Sequence, residues 1–332
     1  MRRAIADAMP PREPVIPTFS LRLRSDYATI RRFLIILNEC PIGSYLTHLH
    51  SQTQRIIDAN LNRTAEGLRV MEDVSRFCLN SPDISQQLKA QRHRLLDNMT
   101  FSTTELLSAR NSTGDVGRKP QFEKLPAGSL CSTVTANARR AEQSLRVLEE
   151  MARLPGSDIN GVIIEEIRYA VYELEKELVS LISRQLKINR LSGQYSIQVV
   201  NDGSLFSFPG NTDIFQLDPG NSKRRDFLAA VTEAADACKR TGALFIVGEF
   251  ADIAVAVKAD GIAIDGGSLP PSIIRNLLSI DQLIGFSAAD IEQAIEAEKS
   301  GVDYLLCSCD LKNRLAEKVV IPVVVPDRSQ SA

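Results

Sequence analysis

The sequence predicts two dissimilar halves: an all-α N-terminal half built from a duplicated helical hairpin, and a C-terminal α/β half forming an incomplete, TIM-barrel-like (β/α) array. Three observations carry this. Arg55 to Phe77, RIIDANLNRTAEGLRVMEDVSRF, returns 77 positions later as Thr133 to Leu154, TVTANARRAEQSLRVLEEMARL, an internal repeat. Around Asn189 to Gln194 the helical period gives way to short apolar runs with helical segments between them. The chain has 332 residues, 44% apolar and 24% charged, an ordinary globular composition for which two domains are the natural prior.

Taken in order, residues 1–53 read as an appended or poorly ordered segment. PPREPVIP at 10–17 argues against regular structure, and His48 and His50 have no partner at ligand spacing. The all-helical part then runs over 54–188, a linker over 189–194, and the (β/α) part over 195–326.

In the first repeated helix, Asn60, Arg63, Gly67, Val70 and Val74 are spaced 3, 4, 3, 4, one seam along a helix. The second copy reads Asn137, Arg140, Ser144, Val147 and Met151. A lone Asn in such a seam often fixes register, and a lone Arg can extend from its edge to water. Recurrence of both in register argues instead for a small cavity lined by two Asn and two Arg, with Gly67 and Ser144 leaving room. The planar fork of Arg suits a phosphate there. The charges at Arg69 with Asp73, Glu72 with Arg76, Arg146 with Glu150 and Glu149 with Arg153 read as solvated i, i+4 pairs on the outer face.

A second helix follows each copy. LKAQRHRLL from Leu88 and IEEIRYAVY from Ile164 align at a shift of 76, placing Arg92 on Arg168. The first hairpin turns at Asn80-Ser81-Pro82-Asp83, with Ser81 as cap and Pro82 at the first helical position. The second turns at Pro155-Gly156-Ser157-Asp158. Between the copies, Ser102 and Glu105 form a capping box that starts a short helix over Thr103 to Arg110. The loop after it, Asn111 to Pro120, holds Gly114, Asp115, Gly117, Arg118 and Lys119. Its glycines allow backbone N–H groups near an anion, Asp115 suits hydrated Mg²⁺, and Arg110, Arg118 and Lys119 offer charge to phosphate.

The expected strands are Ser196–Val200, Asp213–Leu217, Leu244–Val247, Gly261–Ile264, Leu283–Phe286, Tyr304–Ser308 and Pro322–Val325. Helical patterns at Arg225–Arg240, Ala251–Lys258 and Asp290–Lys299 lie between them, giving a parallel array one strand short of a closed eight.

Net charge of -2 leaves no electrostatic footprint for nucleic acid or an acidic membrane, and no apolar run reaches bilayer length. The apolar run Phe33 to Leu37 is too short and too late for a secretory signal. Six cysteines, at 40, 78, 131, 238, 307 and 309, lack disulfide or zinc spacing, which suggests a reducing, cytoplasmic setting.

DANLNRTAEGLRVMEDVSRF, LKAQRHRL, SARNSTGDVGR, NARRAEQSLRVLEE and RYAVYELE together resemble the helical, monofunctional hydroxymethylpyrimidine phosphate kinases. That family is known as a fusion partner of thiamin phosphate synthase. The resemblance implies transfer of the γ-phosphoryl of ATP, with Mg²⁺, to 4-amino-5-hydroxymethyl-2-methylpyrimidine phosphate. From their chemistry, Arg63, Arg140 and either Arg92 or Arg168 would hold phosphates, with Gly67, Ser144, Gly117 and Arg118 beside them. Asn60 and Asn137 would orient substrate, and Asp115, with Glu66 or Asp73 as alternatives, would bind the metal.

The C-terminal part resembles thiamin phosphate synthase through FQLDPGNSKRRDFL, ADIAVAVKADGIAIDGGSLP, LIGFSAADIEQAIEAEKSGVDYLL and IPVVV. Where that family has Gln-Leu-Arg-x-Lys, this chain has Gln216-Leu217-Asp218-Pro219-Gly220. The metal-binding Asn-Asp becomes Gly248-Glu249, the acidic residue before Leu-Pro becomes Ser268, and a family His aligns with Ala289. The family's Gly-Gly phosphate turn and eighth strand have no counterpart. The expectation is a kinase whose synthase-like half has lost activity and persists as a scaffold or dimer interface. An active synthase and a non-catalytic pyrimidine-binding protein are the alternatives. The partners expected are small molecules, with homo-oligomerisation open.

Overall fold

The computed structural model describes residues 41–99, 101–111, 114–115, 128–154, 157, 159–200, 212–315 and 317–327. Segment 1–40, Gly117, Arg118, Lys119 and the turn residues Pro155, Gly156 and Asp158 lie outside them. Packing divides the chain into two units, Met1–Gln54 and Arg55–Ala332, and the second carries the features that follow.

Helix α1 (Pro41–Phe77) leads through Ser81 into α2 (Pro82–Asp97). Pro82 occupies the first helical position as expected, but the Ser81 side chain makes no capping hydrogen bond. The short α3 (Thr103–Ala109) begins with the expected capping box: Ser102 Oγ accepts from Glu105 N at 3.2 Å, and Ser102 N donates to Glu105 Oε2 at 2.7 Å. Then come α4 (Leu130–Ala152) and α5 (Gly161–Ile188), the latter capped by Asn160. One core joins the four long helices, through Leu68 and Met71 of α1, Leu88 and Leu95 of α2, Leu145 and Leu148 of α4, and Ile167 and Leu174 of α5.

The rest is a seven-stranded parallel sheet in sequential order: β1 (Tyr195–Val199), β2 (Ile214–Asp218), β3 (Leu244–Gly248), β4 (Gly261–Ile264), β5 (Leu283–Ser287), β6 (Tyr304–Leu306) and β7 (Val323–Val324). Crossover helices are α6 (Arg224–Thr241), α7 (Ala251–Ala256), α8 (Pro271–Leu277), α9 (Ile291–Lys299) and α10 (Cys309–Leu315). The apolar runs are near-continuous because both strand faces are buried. Phe215, Leu217, Phe245, Val247, Ile262 and Ile284 face the helices, while Ile214, Leu244, Ile246, Ala263, Leu283, Leu306 and Val324 form a separate inner core.

That inner core includes Tyr195 of β1 and Tyr304 of β6, whose hydroxyls meet at 3.0 Å. So the sheet curls back on itself. No eighth strand follows among the described residues, yet Asp327 bridges to Ser196, donating from its N–H to Tyr195 O at 2.8 Å. One residue thus covers part of the edge that an eighth strand would pair.

Helix α5 links the two halves. Leu191, just beyond it, enters the inner core and Ile188 packs there. Lys187 pairs with Asp260 at 3.2 Å and with Asp281 at 2.9 Å, Ser180 donates to Ile280 O, and Arg184 pairs with Asp303 at 3.1 Å. Asp260 and Asp303 immediately precede β4 and β6, and Asp281 lies two residues before β5, so α5 seats on the N-terminal rim of the strands. Burial lowers the Arg184 pKa despite the attraction of Asp303, so removing Asp303 would leave a half-buried cation uncompensated.

Candidate functional site

Gly67 sets the approach of α1 to α4. A β-carbon there would lie 2.7 Å from the carbonyl oxygen of Asn137 and 3.3 Å from the Ala141 methyl. Only hydrogen lets the helices cross at that separation, and the crossing sets Gly67 of the first predicted seam against Asn137 of the second. Asn60 is buried and Asn137 half-buried. Each donates its amide to the carbonyl one turn back, Ile56 O and Thr133 O, at 2.8 Å. The side-chain oxygen of Asn137, Oδ1, accepts from Arg140 Nη1 at 3.2 Å. Arg63 is exposed and makes no ion pair among the described residues, while Ser144 is buried. The contact therefore brings Gly67 against Asn137, with Arg140 tethered to Asn137 and Asn60 bonded within its own helix.

Arg92 and Arg168 serve differently. Glu72 and Glu149 are each 5% exposed, not solvated on an outer face. Glu72 accepts from Arg92 Nε and Nη2 at 3.3 and 3.1 Å and from Arg69 at 3.4 Å. Glu149 accepts from Arg168 Nε at 2.5 Å and from Arg146 at 2.7 Å. The expected pairs with Arg76 and Arg153 are corrected: a carboxylate this buried needs donors, and the second helix of each hairpin supplies them. Burial alone would push Glu149 up, but hydrogen bonds from Arg168 and Arg146 outweigh it and hold the group below the usual carboxylate range. Arg168 is also covered by the rings of Tyr169 and Tyr172 at 4.8 and 5.6 Å.

Around the loop after α3, Arg110 grips Asp58 with two hydrogen bonds of 2.5 and 2.8 Å. Asn62 donates to the same carboxylate at 3.1 Å, and Asn111 Oδ1 accepts from Gly114 N at 2.8 Å. The charge proposed for phosphate at Arg110 is thus engaged by a buried aspartate. Asp115 and Glu66 are exposed, and Asp73 pairs with Arg69 at 3.3 Å. No group of three or more His, Cys, Asp or Glu side chains suited to a metal ion occurs among the described residues. Single carboxylates of this kind fit Mg²⁺ only when substrate phosphates and water supply most of its oxygens.

Sequence reasoning missed Asp58, whose partner lies 52 positions away, and the Glu142–Glu175 pair between α4 and α5. Burial, then the charge of Glu175 and a hydrogen bond with it, push Glu142 up to about 7 against the pull of Arg139 and Arg168.

In the barrel, Tyr195 donates to Gln216 Oε1 at 2.7 Å, and Gln216 Nε2 donates to Asp218 Oδ1 at 2.7 Å. Gly248 abuts that carboxylate so closely that a β-carbon would overlap it. An aspartate is thus seated at the C-terminal end of β2. Beside it, a cavity of about 610 Å³ at the ends of β3 and β4 is lined by Glu249, Asp265, Ser268 and Asp252, with Arg224 paired to Asp252 at 2.5 Å. Glu249 has a left-handed backbone, φ 61°. Ser287 is half-buried at the end of β5, and Ala289 is exposed beyond it.

Two known families match separate stretches of the chain. The ThiD2 family matches residues 55–177 and the thiamine monophosphate synthase family matches residues 206–309. A thiamine-phosphate synthase of Rhodopirellula baltica is 33% identical over 79% of this chain and 73% of its own length. One from Nostoc punctiforme is 34% identical over 76% of this chain and 71% of its own, and one from Synechococcus sp. CC9311 is 34% identical over 76% and 73%. Among the described residues, no helix is long and apolar enough to cross a membrane.

Proposed function

Because the chain belongs to the thiamine-phosphate synthase family, we propose that it serves thiamin biosynthesis and that its helical half transfers the γ-phosphoryl of ATP to hydroxymethylpyrimidine phosphate. A phosphate oxygen of the substrate attacks the γ-phosphorus and the bond to the β-phosphate oxygen breaks, giving the pyrophosphate ester and ADP. Such transfer needs mostly positioning and charge neutralisation. The contact of Gly67 with the Asn137 carbonyl carries the reading, since it supports an approach of the first seam to the second. Arg63, which makes no ion pair among the described residues, and Arg140, steered by Asn137, neutralise phosphate. Asp115, Glu66 or Asp73 would hold Mg²⁺, which would offset phosphate charge with substrate oxygens and water completing its ligands.

The barrel half is read as a scaffold without synthase activity. Asp218, fixed by Gln216 and Gly248, puts negative charge where the related motif carries cations for pyrophosphate. A second reading, an active synthase, is favoured by the cavity holding Glu249, Asp265 and Ser268 and by the names of the relatives.

The test is incubation of the full chain with ATP, Mg²⁺ and hydroxymethylpyrimidine phosphate, with mass spectrometry for the pyrophosphate ester. Arg63→Ala and Arg140→Ala should abolish the ester while helix content persists; undiminished turnover in both would overturn the seam. Addition of thiazole phosphate should yield no thiamin phosphate, and its formation would establish the second reading. Tight pyrimidine phosphate binding without ATP consumption would indicate a binding protein.

A further inference from the structure

A cavity of about 720 Å³ opens where α1 turns into α2, lined by Glu72, Arg76, Asn80, Ser81, Ser85 and Lys89 among others. It is separate from the seam: nine residues, about two and a half helical turns, put Glu72 on the side of α1 opposite Arg63. The charge of Glu72 is already met by Arg92 and Arg69. Arg76 and Lys89, by contrast, make no ion pair among the described residues, and the Ser81 and Ser85 side chains make no hydrogen bond there.

The repeat supplies an internal control. Arg153, counterpart of Arg76, pairs with Glu150 at 3.3 Å. At the position of Glu150 the first copy has Asp73, one methylene shorter and held by Arg69 at 3.3 Å, which leaves Arg76 over the Phe77 ring. Lys89 corresponds to Glu165, Gln86 to Val162 and Ser85 to Gly161. The buried carboxylates and their arginines recur in both copies, as framework residues should. Arg76 and Ser81 have like counterparts in Arg153 and Ser157, but Lys89, Gln86 and Ser85 do not, so that part of the lining is not required by the repeat.

We propose that this cavity is an anion site for a phosphate-bearing ligand, with Arg76 and Lys89 meeting the phosphate charge and Ser81, Ser85 and Asn80 donating hydrogen bonds to its oxygens. A bare phosphate and the polyphosphate of a nucleotide share this chemistry.

Lys89 itself reports on occupancy. The full-length chain is acetylated with isotopically labelled acetic anhydride at constant ionic strength, with no anion beyond chloride, with pyrophosphate, with ATP or with AMP, and lysine labelling is read by peptide mass spectrometry. Pyrophosphate should slow labelling of Lys89 about fivefold, the order expected when an ammonium is engaged by charge-assisted bonds, and leave the exposed Lys176 and Lys239 unchanged. Protection by ATP but not AMP identifies the polyphosphate, and protection by all three a simple phosphate site. Arg76→Ala should remove the protection. Equal labelling of Lys89 under every condition, or protection undiminished in Arg76→Ala, would overturn the proposal. No turnover is involved, so protection without ester formation sinks the kinase reading alone, and ester formation without protection sinks this one alone.

Discussion

The two copies of the sequence repeat agree at a buried carboxylate and differ around it. Arg69, Glu72 and Arg92 in the first copy, and Arg146, Glu149 and Arg168 in the second, make the same buried carboxylate clamped by an arginine from its own helix and one from the next. Around that shared clamp the copies diverge: Gly67 against Ser144, Ala65 against Glu142, Met99 against Glu175, Asp73 against Glu150. Duplication thus separates residues that hold the hairpin from residues released for other work.

The largest expected effect comes from breaking the clamp. Glu72→Ala or Glu149→Ala leaves two arginines facing an uncompensated buried space, and each should cost about 3 kcal/mol, the lower end for a broken buried pair because one arginine of each clamp is half exposed. Urea unfolding should give nearly equal losses for the two. Unequal losses would show that one clamp has been recruited to function. Gly67→Ala should follow at about 2 kcal/mol, since the obstructing atom is the backbone carbonyl of Asn137 and cannot rotate away. Ser144→Gly removes only a hydroxymethyl group and should cost less than half as much. A tolerated Gly67→Ala would mean that the two helices part readily and that the seam is not a fixed surface.

How much of this was legible in the sequence follows from how local each signal is. The Ser102–Glu105 box spans three residues of a known pattern and was read correctly. The seven strands announced themselves as apolar runs because both faces are buried. The clamps were misread because Arg76 and Arg153 sit at the i, i+4 spacing that suggests a surface pair, whereas the true donors Arg92 and Arg168 come from another helix. Asp58 with Arg110 and the bridge of Asp327 to Ser196 join distant positions and leave no periodic trace. The repeat picks out Asn60, Arg63, Asn137 and Arg140 in the sequence, whereas the approach of Gly67 to the Asn137 carbonyl joins positions 70 apart and has no periodic sign.

A smaller effect should appear as pH dependence confined to the second copy. Glu142 in the folded chain titrates near 7, above its ordinary 4.5, so between those values the folded state holds more protons than the unfolded one. Stability therefore falls as pH rises through that window, and the stabilising contribution is complete only below it. Glu142→Ala, which restores the Ala65 pattern, should raise Tm relative to the parent at pH 8 by about 2 °C and change it less at pH 5. The gain is modest because Glu142 is only part-buried and solvent screens its charge. A variant that destabilises equally at both pH values would mean the Glu142–Glu175 contact is not a shared-proton pair.

The smallest effect on stability is the sharpest probe of the divergence. Asp73→Glu lengthens the side chain to match Glu150 and should let it reach Arg76 as Glu150 reaches Arg153. On an exposed surface such a pair hardly moves Tm. It should nevertheless withdraw Arg76 from the cavity beside α2 and weaken phosphate protection of Lys89, an effect that high salt would erase because the new pair is screened. Asp73→Asn, which removes the charge without reaching Arg76, should leave that protection intact. If both variants lose it equally, the charge at position 73 matters and not its reach, and the one-methylene difference between the copies does not account for the free arginine.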